Sequence, residues 1–349
     1  MADIDATSPE AIWHRLSARR GAAIATGLAV LLVCVTLDTA TGPAMLAPSV
    51  VASAVMRLAE DPMVDAIVWS IRLPVALMAV AVGAALGATG AVMQTVLNNP
   101  LASSYTVGIS AGAGFGAALV IVLGAALPVP EAFAVPVSAF LFAALACSCV
   151  WLLGGPRGAT AETLVLAGIA LMFLFQAMLA ALQFIASPEA LQQVVFWLFG
   201  SLQRATWTKL AVVAGILLAM APMIMRDAWS LTALRLGEDR AAALGIGLLG
   251  LRLRALVFVA LATGAAVAFV GTIGFVGLVA PHLARMLLGE DQRWLLPGSA
   301  LAGALLLSAA SVASKTIMPG ALIPIGIVTA LVGVPFFAWL VLSTRRVLS

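Results

Sequence analysis

Charge is the scarcest commodity in this chain. Of 349 residues only 9% are Asp, Glu, Lys or Arg, where a soluble domain carries roughly a quarter. Eighteen basic and fifteen acidic side chains, with a formal net charge of +3, are too few to coat a globule in water. They also form no basic surface extensive enough to hold nucleic acid. Lysine is nearly absent. Lys209 and Lys315 follow Thr208 and Ser314, so there is no Gly-Lys-Ser/Thr phosphate loop and the chain has no such means of using ATP by itself. There are two histidines. His14 lies near the start and His282 follows Pro281, neither beside a carboxylate that could orient it, and neither HExxH nor GxSxG occurs. No catalytic residue, metal site or cofactor is therefore expected, and the chain is not expected to be an enzyme. Cys34, Cys147 and Cys149 sit inside apolar stretches, which excludes a disulfide framework or a CxxC zinc site.

Apolar residues make up 63% of the chain. A helix needs roughly 20 of them to cross about 30 Å of hydrocarbon, and apolar stretches near 21–39, 73–95, 108–128, 134–153, 163–185, 208–225, 255–270, 272–288, 295–313 and 322–343 predict about ten spans. Runs such as 73–95 and 322–343 are apolar on every side, which excludes an alternating barrel. The expectation is an all-α integral membrane protein: a cytoplasmic tail over 1–20, then one permease-like transmembrane domain over 21–345. The apolar run 21–37 exceeds the roughly 7–15 residues of a signal core, which predicts a retained first helix. The stretch 255–288 is interrupted by Gly271, Gly274, Gly277 and Pro281 and predicts one full span followed by a broken one. With the N-terminus inside, 13 of 18 Lys and Arg fall on the cytoplasmic side, so both termini are expected there. Segments 41–68 and 186–207 are expected to be structured on the opposite side.

An internal echo at an offset of 181 relates Gly83, Ala84, Ala85, Gly90 and Pro100 to Gly264, Ala265, Ala266, Gly271 and Pro281. The related spans are five apart, so the two halves would run in opposite senses, an inverted five-helix repeat. Gly83, Gly87 and Gly90, and again Gly108, Gly112 and Gly116, are spaced to let helices approach closely. The ionisable residues Asp38, Lys209 and Arg285 fall only at span ends. A gradient-driven carrier normally keeps a titrating group within the membrane, so ion coupling is disfavoured. Main-chain carbonyls and hydroxyls could still bind Na+, and a secondary transporter stays as the alternative class.

The motifs then converge. Ile71-Arg72-Leu73-Pro74, Gly90 to Gln94, Asn99-Pro100-Leu101-Ala102 and Gly108-Ile109-Ser110-Ala111-Gly112-Ala113 resemble the opening half of the FecCD permeases. Leu236-Gly237-Glu238, Ala241 and Leu244-Gly245 match that family's LGExxAxxLG. Gly274-Phe275-Val276-Gly277-Leu278-Val279-Ala280-Pro281-His282, Leu296-Pro297, Pro324 to Ala330 and Gly333-Val334-Pro335 continue the likeness. The resemblance spans roughly 20–345. It implies a cobalamin-permease-like bundle of ten helices in a bacterial inner membrane, pairing with a second permease copy as a homodimer, with two cytoplasmic ABC ATPase subunits and a periplasmic substrate-binding protein.

By the same resemblance, Leu236, Gly237, Glu238, Ala241, Leu244 and Gly245, within the cytoplasmic segment 226–254, are expected to meet the ATPase. Arg72 and Lys315 are expected to dock the binding protein, and Asn99, Pro100, Gly271, Gly274, Gly277 and Pro281 to lie at a gate or along the path. Val75, Ser311, Leu322 and Ser103-Ser104 depart from the family pattern at positions usually basic, acidic, acidic and acidic-Pro, which predicts altered docking with coupling intact. The expected cargo is a ferric siderophore or haem, with cobalamin second.

Overall fold

The computed structural model describes residues 9–42, 45–59, 61–124, 129–155, 160–318 and 321–344. Arg157, Arg345 and Arg346, which enter the charge count above, lie outside them. Among the described residues all regular structure is helical. The helices are α1 (Pro9–Ala40), α2 (Pro48–Val55), α3 (Pro62–Ile67), α4 (Leu73–Val96), α5 (Ile109–Leu123), α6 (Glu131–Gly154), α7 (Ala161–Ile185), α8 (Pro188–Leu198), α9 (Trp207–Arg226), α10 (Ala228–Leu234), α11 (Glu238–Ala243), α12 (Leu248–Val270), α13 (Val276–Leu288), α14 (Gln292–Thr316) and α15 (Ile325–Thr344). A π-turn, Val68–Arg72, joins α3 to α4. Seven helical stretches are long and apolar enough to cross a bilayer: those of α1, α3–α4, α6, α7, α9, α12 and α14. Three shorter apolar helices, α5, α13 and α15, fill the remaining expected stretches. Alternation along the chain puts 97–108, 226–247 and 289–291 at one end, here the arginine-rich end, and 45–59, 61–72, 186–206 and 321–324 at the far end.

Helices α1, α4, α5, α6, α12 and α15 are apolar all round, so no amphipathic stripe orients them; small residues do. α4 is the central element. Within its most apolar window 83% of residues are buried by protein, against 6% for α1 and 17% for α9. It crosses α14 where a Cβ on Gly87 would lie 2.0 Å from the Ser299 carbonyl oxygen and one on Gly303 would lie 2.1 Å from that of Gly83. At Gly90 it meets α13, with a Cβ there only 1.9 Å from the Gly277 carbonyl oxygen. Helices α5 and α6 approach in the same manner at Gly112 and Gly116.

The packing carries the two-fold pattern of an inverted repeat. α4 packs on α13 and α14, and α12 packs correspondingly on α5 and α6. Where α4 and α12 touch, Thr263 Oγ1 donates to Thr89 Oγ1 at 3.2 Å, both side chains fully buried. These threonines stand in identical tetrapeptides, Ala88-Thr89-Gly90-Ala91 and Ala262-Thr263-Gly264-Ala265. Their offset is 174 positions, seven fewer than that of the Gly83–Gly264 echo. Gly83 and Gly264, matched at 181, face α14 at Gly303 and α6 at Phe140, which are counterparts in this pattern.

Two boundaries also moved. α12 begins at Leu248, well before 255, because Arg252 and Arg254 are paired inside the fold and do not end the helix. The break after it is sharper than a glycine-rich span: Gly271 and Phe275 both take positive φ, 78° and 66°, and the residues between them are not helical. At the far end, segments 41–68 and 186–207 hold α2, α3 and α8. They are stitched by Trp69 Nε1 donating to the Ala54 carbonyl at 2.9 Å and Trp207 Nε1 to that of Trp69 at 2.8 Å.

Candidate coupling and docking sites

At the arginine-rich end the chain leaves α9, turns through α10 and α11, and re-enters as α12. The two reversals fall on Gly237 (φ 106°) and Gly245 (φ 79°), where an L side chain would be strained. Between them α11 is pinned twice. Ala241 is fully buried. Glu238 pairs with Arg252, whose side chain is only 2% exposed, with Nη1 3.4 Å from Oε2 and a closer contact between Nη2 and Oε1. A second clamp ties α12 to the end of α9: Arg254 Nε and Nη2 donate to the Asp227 carboxylate at 2.6 and 2.9 Å.

The motif residues therefore divide. Gly237, Glu238, Ala241 and Gly245 shape and hold the turn, while Leu236 (57% exposed) and Leu244 (59% exposed) project from it. Glu238 pairs within the chain and keeps 42% of its side chain exposed. A cleft of about 470 Å³ beside this turn is lined by Asn98, Glu162, Leu234, Glu238 and Arg252. Arg252 and Asp227, which brace the turn, were not singled out from the sequence. The available signal was a charge lying inside an apolar run without ending it.

At the far end Arg72 and Lys315 are turned inward. Arg72 Nη1 donates to the carbonyls of Thr39 (3.1 Å) and Ala40 (2.9 Å) at the C-terminus of α1, where the helix dipole favours a cation. Lys315 Nζ lies 2.8 Å from Asp38 Oδ1 and 3.0 Å from the Asp38 carbonyl, with both side chains buried. These two cations thus bind α1 to α4 and to α14. Neither head group is presented at the surface that a binding protein would meet.

The expected path residues occupy different levels. Asn99 and Pro100 form a turn after α4, where Asn99 Oδ1 accepts from Leu101 N at 2.9 Å. Gly271 lies near the far end, its Cβ position 2.1 Å from the Trp197 carbonyl oxygen. Gly274 faces open space, Gly277 abuts Leu86 and Pro281 is buried within α13. Around Gly271 the ends of α8 and α12 meet the start of α15: Ser201 N donates to the Val270 carbonyl (2.7 Å), and Ile325 N and Gly326 N donate to those of Gly200 (3.2 Å) and Phe199 (3.0 Å). Beside them is a cavity of about 400 Å³, lined among others by Gln193, Arg204, Lys209, Ser311 and Leu322. Two of the departures from the family pattern, Ser311 and Leu322, thus share one cavity.

A polytopic helical subunit with a braced, hydrophobic-tipped turn at one end and no phosphate loop belongs to the class of transport permeases driven from outside themselves. The chain belongs to the FecCD transport family, whose model matches residues 30–343. It is 40% identical over 281 residues to the hemin transport system permease protein HmuU of Yersinia pestis, covering 80% of this chain and 84% of that one. It is 34% identical over 322 residues to the vitamin B12 import system permease protein BtuC of Vibrio vulnificus, covering 91% and 93%. Among solved structures it is similar to a metal-chelate-type ABC transporter in an inward-facing conformation. That match has a TM-score of 0.83 and 30% identity, and covers 93% of this chain and 99% of the other. It is a multi-pass ABC-importer permease, not an enzyme.

Proposed function

We propose that this chain forms, with a second copy of itself, the membrane channel of an importer that carries an iron chelate, a ferric siderophore or haem, inward across a bacterial inner membrane. In this reading α1, α4–α7, α9 and α12–α15 make ten crossings, both termini are cytoplasmic, and a periplasmic binding protein delivers the cargo. Two cytoplasmic ATPase subunits supply the power stroke. The observation that carries the reading is the turn 236–245. Two leucines are exposed on a support braced by Glu238–Arg252 and Asp227–Arg254, which suits a rigid knob seated in a partner's cleft and moved as a body.

The hemin relative supports haem or another iron chelate as cargo, and the vitamin B12 relative makes cobalamin the second reading. Docking through Arg72 and Lys315 requires a binding protein to draw these cations away from α1, so their first role in this reading is to fix the outer ends of α1, α4 and α14. The gate lies between the turn at Asn99 and Pro100 and the break at Gly271, Gly274, Gly277 and Pro281.

Reconstitution in liposomes tests the whole. The subunit should move none of ferric siderophore, haem or cobalamin when alone, and one of them once ATPase, ATP and binding protein are added. Uphill uptake by the subunit alone, driven by an ion gradient, would identify a secondary transporter and overturn the proposal.

A further inference from the structure

The turn between α13 and α14, residues 289–291, lies against the coupling segment and is used by none of the roles above. Gly289 takes φ 81° and presents Glu290 to two cations on different elements. Arg235, one residue before the exposed Leu236, donates Nη2 to Glu290 Oε1 at 3.0 Å, and Arg285 Nε of α13 lies 3.0 Å from the same oxygen. Arg285 Nη2 then donates to Gln94 Oε1 at 3.1 Å, and Gln94 Nε2 donates to the Leu278 carbonyl at 3.3 Å. The main chain of Gln94 carries the contact on, since its carbonyl accepts from Asn99 N at 3.1 Å. One ion pair, in which the Arg285 Nε–H is not aimed at the carboxylate, and hydrogen bonds on either side of it therefore link the coupling segment, through Glu290, to the inner end of α4 and the turn at Asn99.

A second strut runs beside it. Gln292 N donates to Thr232 Oγ1 of α10 at 2.9 Å, and Gln292 Nε2 donates to Thr95 Oγ1 of α4 at 2.8 Å. The two struts differ in kind. Gln292 is fully buried and its bonds are neutral, so it holds the ends together. Glu290 is 47% exposed, and its single carboxylate oxygen is what keeps the Arg235 and Arg285 guanidinium groups attracted to one point. Without that charge the two cations repel.

We infer that Glu290 is a positioning residue for transport, converting displacement of the segment around Leu236 into displacement of the inner end of α4 and its Asn99 turn. The inference rests on the ATP-driven reading above. A contiguous set of contacts does not by itself establish coupling, so the test measures coupling directly.

The assembled transporter, with its ATPase and binding protein in nanodiscs, is prepared with the native cysteines replaced and Leu101→Cys introduced as a reporter beside Asn99. Maleimide reactivity is compared with and without ATP and vanadate. In the parent the ATP-dependent change should be at least about fivefold, the low end of common coupling factors. Glu290→Gln should abolish most of that change while the unfolding temperature stays the same, and Glu290→Asp should restore it. Arg235→Gln should match Glu290→Gln, and the double variant should be no worse than either, as for members of one unit. A full ATP-dependent change in Glu290→Gln, or additive losses in the double variant, overturns the relay alone. A parent that takes up cargo with ATP but shows no ATP-dependent change at position 101 also overturns the relay alone; a parent that takes up none with ATP overturns the importer reading, and the relay with it.

Discussion

Gly90→Ala tests the central packing claim with the smallest possible perturbation. The added methyl would stand 1.9 Å from the Gly277 carbonyl oxygen, where real contacts of this kind essentially never fall under 3.0 Å, so α4 and α13 must part by about 1.1 Å. The obstacle is main chain, which cannot rotate aside as a flexible side chain would. Overpacking of this kind costs about 1–3 kcal/mol, and the backbone geometry argues for the upper half. Against it stands a gain of about 0.5–1 kcal/mol from replacing glycine inside a helix. The net expectation is a loss of roughly 1–2 kcal/mol. Gly215 in α9 supplies the control, because a Cβ there meets nothing within 4 Å. Gly215→Ala should be neutral or slightly stabilising. Unfolding of the purified subunit in detergent, followed by tryptophan fluorescence against added denaturing surfactant, compares the two. Equal stability of Gly90→Ala and Gly215→Ala would refute the close α4–α13 crossing.

Lys315→Met or Asp38→Leu alone should destabilise by about 3–5 kcal/mol, because each leaves a buried charge unpaired, whereas the double variant should recover most of the loss; surfactant titration reads this. Leu244→Asp should leave stability within about 0.5 kcal/mol, since the side chain is solvent-facing. It should weaken co-purification of the ATPase at least about tenfold, as expected for an exposed anchor. The Asp291 carboxyl is held below the usual carboxylate range, chiefly by the hydrogen bond from the Arg293 side chain. Its stabilising contribution is therefore complete above the unfolded value, about 3.9, and is lost only as pH falls through the depressed folded value. Asp291→Asn should thus be less stable than wild type from pH 8 down to 5, the gap closing only in stronger acid, as a pH series of melting curves would show.

The spans were legible because apolar runs long enough for a bilayer have few other uses, and each of the ten expected stretches holds an apolar helix. The turn at 236–245 was legible as a motif, and the role of its exposed leucines followed once the glycines were seen to reverse the chain. What the sequence concealed was pairing at a distance. Asp38 and Lys315 are separated by 277 positions, and a lone acid and a lone base at span ends look like interfacial residues until folding brings them together. Arg252 and Arg254 looked like a helix boundary for the same reason, since their neutralising partners, Glu238 and Asp227, lie on preceding elements. The repeat is blurred in the sequence because glycine and alanine are so common here that several offsets match, 181 through Gly83 and Gly264 and 174 through Thr89 and Thr263.

The encasement of α4 bears on biogenesis. Its composition is as greasy as that of the helices around it, so partitioning from water inserts it into the bilayer like any other. Nothing in that step removes it from the acyl chains. It loses most of its lipid coat only when α12, α13 and α14, all made far later on the ribosome, arrive to clasp it. Half-synthesised subunit therefore holds its keystone helix naked in lipid, and enlargement of Gly83, Gly87 or Gly90 should leave membrane insertion untouched while stalling the final clasp.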